Sequence, residues 1–545
     1  VGVTPEDYAR NMSLGTDFLS TYTMDFGKVH VDLSAEYAPN KVYEFRNVGT
    51  DSIVITDVTP SSDTGLAPFQ IPSYFSGGSV ILPMGTLSHV VTFRPTATGP
   101  VATKTVTLGT NHSDLVLNLK GSGNKLHTAV VLDLSGSMLK DINEDYNKPA
   151  EEQKIYFARA AAYQFAKFYR EISPEAEMGL YSYPNMNADC PSSGTYAPLG
   201  TYKSDAEFAV WTNRLFSPLN HADLLVPNNG AQTPLAEGIS KAFEVLSAVQ
   251  SEYDTATALF LGDGQHSTSC NSAPPRRTPQ DWYSWPNFAS QGIPFNSIPY
   301  GKLDETWTGD WESTFKTLSS VTNGRYFPAN VNITDSNHNE VLQEEFMHAL
   351  AAIEGLETLV DPGSSITANQ TKQHKVCVTE STQELVFSVH WGAFDPDAID
   401  VTLETPTGSA INQIVAEGSN SVGYLSGENF AGYVVRGDYL RGHNGVGQWV
   451  LKVKGKQNIT YTYQVFARDW ITAEVDVNLS VNPPVLTVAF PSKVIKPDTL
   501  QVSANFSMPT QSYQTLLARA EINPKVLAKT PETIEGRELT WAERK

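Results

Sequence analysis

The rhythm of apolar and polar positions changes three times along the chain. Between about residues 26 and 124, short alternating runs recur between Gly- and Pro-containing turns: Val42 to Phe45, Ser52 to Val58, His89 to Phe93, Lys104 to Leu108 and Leu115 to Leu119. Period two with closely spaced turns predicts the strands of a β-sandwich. From about 125 to 360 the pattern switches. Apolar runs (Thr128 to Leu132, Met178 to Tyr183, Thr257 to Leu261, Ile293 to Tyr300) alternate with segments of helical spacing: Glu151 to Ile172, Leu235 to Val249, Trp311 to Ser320 and Val341 to Ile353. In the first helical segment Ile155, Ala158, Ala162, Phe165 and Phe168 fall on one face, and Asp335 and Ser336 are candidate caps for the last. Such alternation predicts an α/β doubly wound parallel sheet. Period two returns from 361 to 481, in Lys375 to Thr379, Glu384 to Trp391, Ile399 to Glu404 and Thr460 to Phe466. A Pro-Pro boundary then opens residues 482–545, with strand-like Val485 to Phe490 and Leu500 to Phe506 and a Lys/Glu-rich tail from Glu521.

The expected division is therefore an N-terminal segment (1–25), a β-sandwich (26–124), a central α/β domain (125–360), a second β-sandwich (361–481) and a partial β domain with its tail (482–545). At 545 residues, several cores are expected rather than one. Hydrophobic content of 40% with 18% charged residues is that of a globular chain. The 59 acidic residues against 38 basic ones give a net charge of −21, which excludes nucleic acid and anionic membrane as favoured partners. No apolar run has the length of a bilayer span, so direct membrane insertion is not expected. The first residues lack a basic segment followed by an apolar one, so any secretory leader is expected to precede Val1.

Candidate chemistry sits at the ends of two of the apolar runs. Asp133, Ser135 and Ser137 follow Thr128 to Leu132 at spacings i, i+2 and i+4, where one loop can fold three oxygen side chains around a small hard cation. Oxygen ligands with few charges suit Mg²⁺, Mn²⁺ or Ca²⁺ rather than zinc. Thr233, in the loop before Leu235 to Val249, offers another hydroxyl, and Asp263 stands at the carboxyl end of Thr257 to Gly262. In an open parallel sheet such strand ends converge on one crevice.

This ordered set resembles the von Willebrand factor A domain, a Rossmann-like fold, and its metal-ion-dependent adhesion site. The resemblance implies that Asp133, Ser135, Ser137, Thr233 and Asp263 surround a divalent cation that captures an acidic side chain of a partner. Preceding it, Phe45-Arg46-Asn47-Val48-Gly49-Thr50, Leu82-Pro83-Met84-Gly85, Phe93-Arg94-Pro95 and the closing Gly121-Ser122-Gly123 are similar to immunoglobulin-like domains of the hydin type. Following it, Gly445 to Val453 and its neighbouring strands resemble the β-sandwich of calcium-activated chloride channel regulators. The zinc-protease motif of that last family, His-Glu-x-x-His, does not occur in this chain, and its proteolysis is not implied. The fold expected is thus a central α/β doubly wound domain flanked by all-β immunoglobulin-like sandwiches.

The insertion from Ser267 to Phe288 leaves the strand that supplies Asp263, and it carries Arg277, Trp282 and Trp285. Aromatic and Arg side chains anchor interfaces, which makes these three candidate partner-binding residues, although a self-packed surface loop has the same composition. The loop Asn185 to Tyr202 is placed on the same rim. Of three cysteines, Cys190 and Cys270 lie in polar loops as a candidate disulfide for an oxidising compartment, and Cys377 falls in a strand. His266 and His127 are the histidines nearest the cluster in sequence, but no nucleophile with a paired base accompanies them, and no enzyme is expected. Two readings follow. The first is a secreted or cell-surface adhesion protein that binds a protein ligand's exposed Asp or Glu through the cation. The alternative is a self-assembling structural subunit of an extracellular fibre or surface layer, stiffened by the same ion.

Overall fold

The computed structural model describes residues 21–31, 38, 40–46, 52–71, 74–82, 86–111, 114–184, 193–216, 224–227, 231, 233–263, 284–301, 311–330, 333–334, 337–379, 382–442, 445–469, 485–489, 503–507, 533–534 and 537–538. Its first unit contains β1 (Thr21–His30), β2 (Asn40–Arg46), β3 (Ile53–Thr59), β4 (Phe69–Gln70), β5 (Val80–Ile81), β6 (Thr86–Phe93), β7 (Ala102–Thr110) and β8 (Leu115–Asn124). A sheet of order β1-β8-β7-β3-β5 shares one apolar core with the sheet β2-β6-β4. Phe26, Phe69 and Phe93 stack at its centre, with Phe69 and Phe93 ring centroids 4.7 Å apart. Only Lys125 separates β8 from the next strand.

The second unit runs β9 (Leu126–Asp133), α1 (Lys154–Ile172), β10 (Glu177–Tyr183), β11 (Gly194–Gly200), α2 (Asp205–Leu215), α3 (Leu235–Ser247), β12 (Thr255–Gly262), α4 (Ser284–Gln291), β13 (Phe295–Pro299), α5 (Trp311–Val321) and α6 (His338–Glu354). The sheet order is β11-β10-β9-β12-β13, with β10, β9, β12 and β13 parallel and β11 antiparallel at the edge. Every residue of β9 is buried, because helices cover both faces and leave no polar side to alternate with. Leu235, Ile239, Ala242 and Leu246 of α3, with Phe288 and Phe315, close one face. Helices α1 and α6 close the other.

The third unit contains β14 (Glu357–Val360), β15 (Gly363–Ile366), β16 (Thr371–Val378), β17 (Thr382–Trp391), β18 (Ile399–Glu404), β19 (Ala410–Ile411), α7 (Gln413–Glu417), β20 (Val422–Ser426), β21 (Phe430–Arg436), α8 (Gly437–Gly442), β22 (Gly447–Gly455) and β23 (Ile459–Asp469). One sheet has the order β14-β23-β17-β21-β20, with β15 also on β23, and the other β16-β22-β18-β19. A hairpin of β24 (Val485–Ala489) and β25 (Ser503–Ser507) follows. Along β17 the side chains alternate between two cores: Leu385 and Phe387 face the second sheet, whereas Val386 joins the core of α1 and α6. Leu425, Phe430, Val434 and Phe466 join that same core. The approach is close enough that a Cβ on Gly432 would stand 2.5 Å from Cζ of Phe168, so only glycine fits there.

This packing corrects the expected fold class. Among the described residues, strand accounts for 41% and helix for 26%, so the chain is mostly β rather than a central α/β doubly wound domain flanked by immunoglobulin-like sandwiches. The helices form a layer between sheets: α1 and α6 are roofed by the β14-β23-β17-β21-β20 sheet and share its core. Strands of two to five residues, such as β4, β5, β14, β15 and β20, are too short to register as periodic runs, so the β content exceeds what the pattern predicts.

Candidate functional site

The parallel register sets Asp133, the last residue of β9, beside Tyr183, the last residue of β10. Asp263 follows β12 directly. Asp133 is wholly buried, and its Oδ1 accepts from the backbone N–H of Ser135 at 2.8 Å, which turns the chain into a 3₁₀ turn over Gly136–Leu139. That turn aims two hydroxyls one way. Ser135 Oγ and Ser137 Oγ are 2.9 Å apart, and the Ser137 hydroxyl donates to Asp263 Oδ1 at 2.7 Å. The Asp263 N–H lies 3.4 Å from Asp133 Oδ2, and the Tyr183 hydroxyl lies 3.2 Å from the same oxygen and 3.0 Å from the Leu261 carbonyl. Four of the five expected ligands therefore form one hydrogen-bonded cluster.

The fifth approaches through its loop. Gly136 N–H donates to the Ala231 carbonyl at 3.0 Å, tying the α3 approach to the serine turn, and Thr233 lies two residues on, buried, with its carbonyl accepting from Leu235 N–H at 2.9 Å. Burial and then the charge of Asp263 push the Asp133 carboxyl up to about 7. Two carboxylates buried in one cluster are a costly arrangement unless positive charge offsets both of them. Buried carboxylates with hydroxyls between them are a hard-oxygen donor set, so the residues fit a divalent cation of the Mg²⁺, Mn²⁺ or Ca²⁺ kind.

Two participants were missed in the sequence. Lys154, the first residue of α1, has a side chain only 1% exposed, and its Nζ lies 2.6 Å from Asp263 Oδ2 and 2.6 Å from Glu144 Oε1. Burial alone would lower its pKa, but Asp263 and Glu144 outweigh that and hold the ammonium above the ordinary lysine value. The signal was present: a cation at the first turn of a helix opposes the macrodipole and calls for an acidic partner. Tyr183 is the other, its hydroxyl held well above the usual tyrosine range by burial and by Asp133.

Arg277, Trp282, His266, Cys190 and Cys270 fall outside the described residues, as does the side chain of Trp285, whose backbone is in α4. His127 stands near the opposite end of β9, six residues or about 20 Å from Asp133, and its Nδ1 is 2.9 Å from Glu177 Oε2. It has no part in the cluster. Cys377 is unpaired and exposed on β16.

No protein-family model matches the chain, and no curated protein matches it. Three solved structures similar to it are a minor pilin, PilB, from Streptococcus sanguinis (11% identity, TM-score 0.28, 59% of this chain and 80% of that one), the adhesive tip pilin of Group B Streptococcus agalactiae (12%, 0.30, 69% and 88%) and the pilus adhesin RrgA of Streptococcus pneumoniae (12%, 0.27, 68% and 58%). All three are pilins or pilus adhesins, and at these TM-scores the likeness carries no argument about this chain.

Proposed function

We propose that the chain is an extracellular or cell-surface adhesion protein, in which Asp133, Ser135, Ser137, Thr233 and Asp263 hold a divalent cation and a protein partner's exposed Asp or Glu completes the site. The observation that carries this reading is the 2.7 Å hydrogen bond from Ser137 to Asp263, which joins two loops 126 residues apart into one oxygen-lined cluster at the strand ends. When bound, the cation would supply an electrophilic position for an external carboxylate. The chain's own residues do the rest: Asp133 and Asp263 provide charge, the serine turn fixes two hydroxyls, and Tyr183 orients Asp133. Among the described residues the arrangement has no nucleophile–base pair, and it is a binding site in this reading. Arg277, Trp282 and Trp285 would line the rim.

Calorimetry with Mg²⁺ and Mn²⁺ tests the ligand set. Asp133→Ala should abolish ion binding and ion-dependent partner capture while the fold persists, and undiminished affinity would reject the assignment. A second reading, a subunit of an extracellular fibre or layer, is favoured by the continuous core from α1 and α6 into the β17 sheet, which makes a stiff body. Chelation separates the two. Release of a partner by EDTA with assembly intact supports adhesion, and collapse of an assembly supports the fibre subunit.

A further inference from the structure

Resting on the reading that the cluster holds a divalent cation, we propose that Lys154 is a built-in cation that leaves the loaded site net positive, selecting a carboxylate-bearing ligand at the expense of ion affinity. Lys154 stands where neither helix nor solvent favours it. It opens α1, against the dipole, with its side chain 1% exposed, and that of Asp263 is wholly buried. Each oxygen of Asp263 is engaged: Oδ1 by the Ser137 hydroxyl at 2.7 Å and Oδ2 by Lys154 at 2.6 Å. A lysine needed only to fasten the 140–154 loop would require Glu144 alone, which it reaches at 2.6 Å. The contact with Asp263 places its charge directly beside one of the ion's proposed ligands.

The charge count gives the consequence. Asp133 and Asp263 contribute two negative charges and Lys154 one positive charge. Glu144 is half-exposed and already shared with Lys140 at 2.9 Å, so its charge is balanced at the rim. A divalent ion then brings the group to one net positive charge, whereas the same site without Lys154 would be neutral. A like charge a few ångströms from the ion weakens ion binding and strengthens the pull on an incoming carboxylate. The two affinities therefore move in opposite directions when Lys154 is neutralised, which a purely structural lysine would not cause.

The test uses the full chain, Mn²⁺ as the ion and acetate as the carboxylate probe, with calorimetry for Mn²⁺ and water-proton relaxation for displacement of Mn²⁺-bound water by acetate. Lys154→Met should bind Mn²⁺ about tenfold tighter and acetate about tenfold more weakly, on the scale of a partly screened charge pair. Lys154→Arg restores the charge and should return both affinities toward those of the wild type. A folded Lys154→Met chain with unchanged or weaker Mn²⁺ binding overturns the inference. If that variant does not fold, Lys154→Gln, which keeps a donor toward Asp263 without the charge, decides: Mn²⁺ binding should tighten severalfold and acetate binding should weaken, and no change in either overturns the inference. A wild-type chain that binds no Mn²⁺ overturns the ion reading and this inference with it. Mn²⁺ binding by the wild type with a null Lys154→Met result overturns this inference alone.

Discussion

Glu354 and Arg468 fasten the end of α6 to the last residues of β23: Arg468 Nη1 donates to the Glu354 carbonyl at 2.9 Å and Nη2 to its Oε2 at 3.2 Å. Ser173, just past α1, donates its hydroxyl to the same Oε2 at 2.7 Å, and Glu384 of β17 lies 3.6 Å from Arg468 Nε. Three elements meet at one wholly buried carboxylate, and β17 joins them through Arg468. Glu354→Ala should therefore destabilise the chain by about 2 kcal/mol, at the low end for a broken buried pair because the Arg468 side chain is 36% exposed. Urea denaturation reads it. A change within about 0.5 kcal/mol, the range of surface substitutions, would show that the joint is not held this way.

The His348 ring on α6 gives stability a pH dependence. Burial alone would lower its pKa, but Asp361, 2.8 Å from Nε2, and Glu345, 3.3 Å from Nδ1, hold it up at about 10. Glu344 on the same helix and the buried His390 on β17 are the other titratable groups near it. A folded-state pKa above the ordinary 6.5 means that the ion pairs contribute fully below that pH and are lost as pH rises toward 10. Glu344, pushed up to about 7 by burial and by Asp361, loses stability in the same direction at lower pH. Between pH 7 and 9 the wild type should lose about 2 kcal/mol relative to His348→Gln. Parallel curves for the two proteins would contradict this.

Gly238 links packing to the cation cluster. A Cβ at this position on α3 would stand 2.5 Å from Tyr183 Cδ1, and Tyr183 is stacked on Phe260 with centroids 4.7 Å apart. Alanine improves helix propensity by about 1 kcal/mol, but forcing a clamped aromatic ring to move costs about 1–3 kcal/mol, so the clash should win. Gly238→Ala is expected to lower the melting temperature and to weaken Mn²⁺ binding, since the Tyr183 hydroxyl can no longer orient Asp133. Weaker folding with intact ion affinity would separate the ring from the site.

Gln164 on α1 donates to Ser388 Oγ on β17 at 3.0 Å, with both residues wholly buried. The remaining oxygen of Gln164 has no hydrogen-bond partner. Removing one member of such a pair strands the other, whereas replacing both with apolar groups is close to neutral. Gln164→Ala should thus cost about 2 kcal/mol or more, and Gln164→Leu with Ser388→Ala less than about 1 kcal/mol. Equal losses would mean that the amide is not part of what joins the layers.

What was legible in the sequence depended on how local its cause was. The α1 pattern of Ile155, Ala158, Ala162, Phe165 and Phe168 located the helix, though it begins at Lys154 rather than Glu151 because 150–152 form a 3₁₀ turn and Gln153 stays extended. Helix α2 went unread although Ser204 and Glu207 form a capping box that the sequence displays. Strand β21 also went unread, because a strand buried on both faces has no alternation to detect. Asp133, Ser135 and Ser137 share one loop by spacing, and Asp263 joins them in the sequence only through the strand-end rule for parallel sheets and the resemblance to the von Willebrand factor A domain. For Lys154 the sequence signals a need for an acidic partner but not which one, since Glu144 and Asp263 are 10 and 109 residues away and only the fold brings them together.

Because α1 and α6 share their core with β17, β21 and β23, the apparent seam near residue 360 is not a place to cut. A fragment ending there would bare Phe168 and Phe346, both fully buried in the chain, and would leave the helix that begins with Lys154 with an uncovered apolar flank. Expression trials of residues 125–360 should give aggregated material, whereas a fragment running on to Asp469 retains the cover. Recombinant work on the cation cluster therefore has to carry a sheet that contributes none of its proposed ligands.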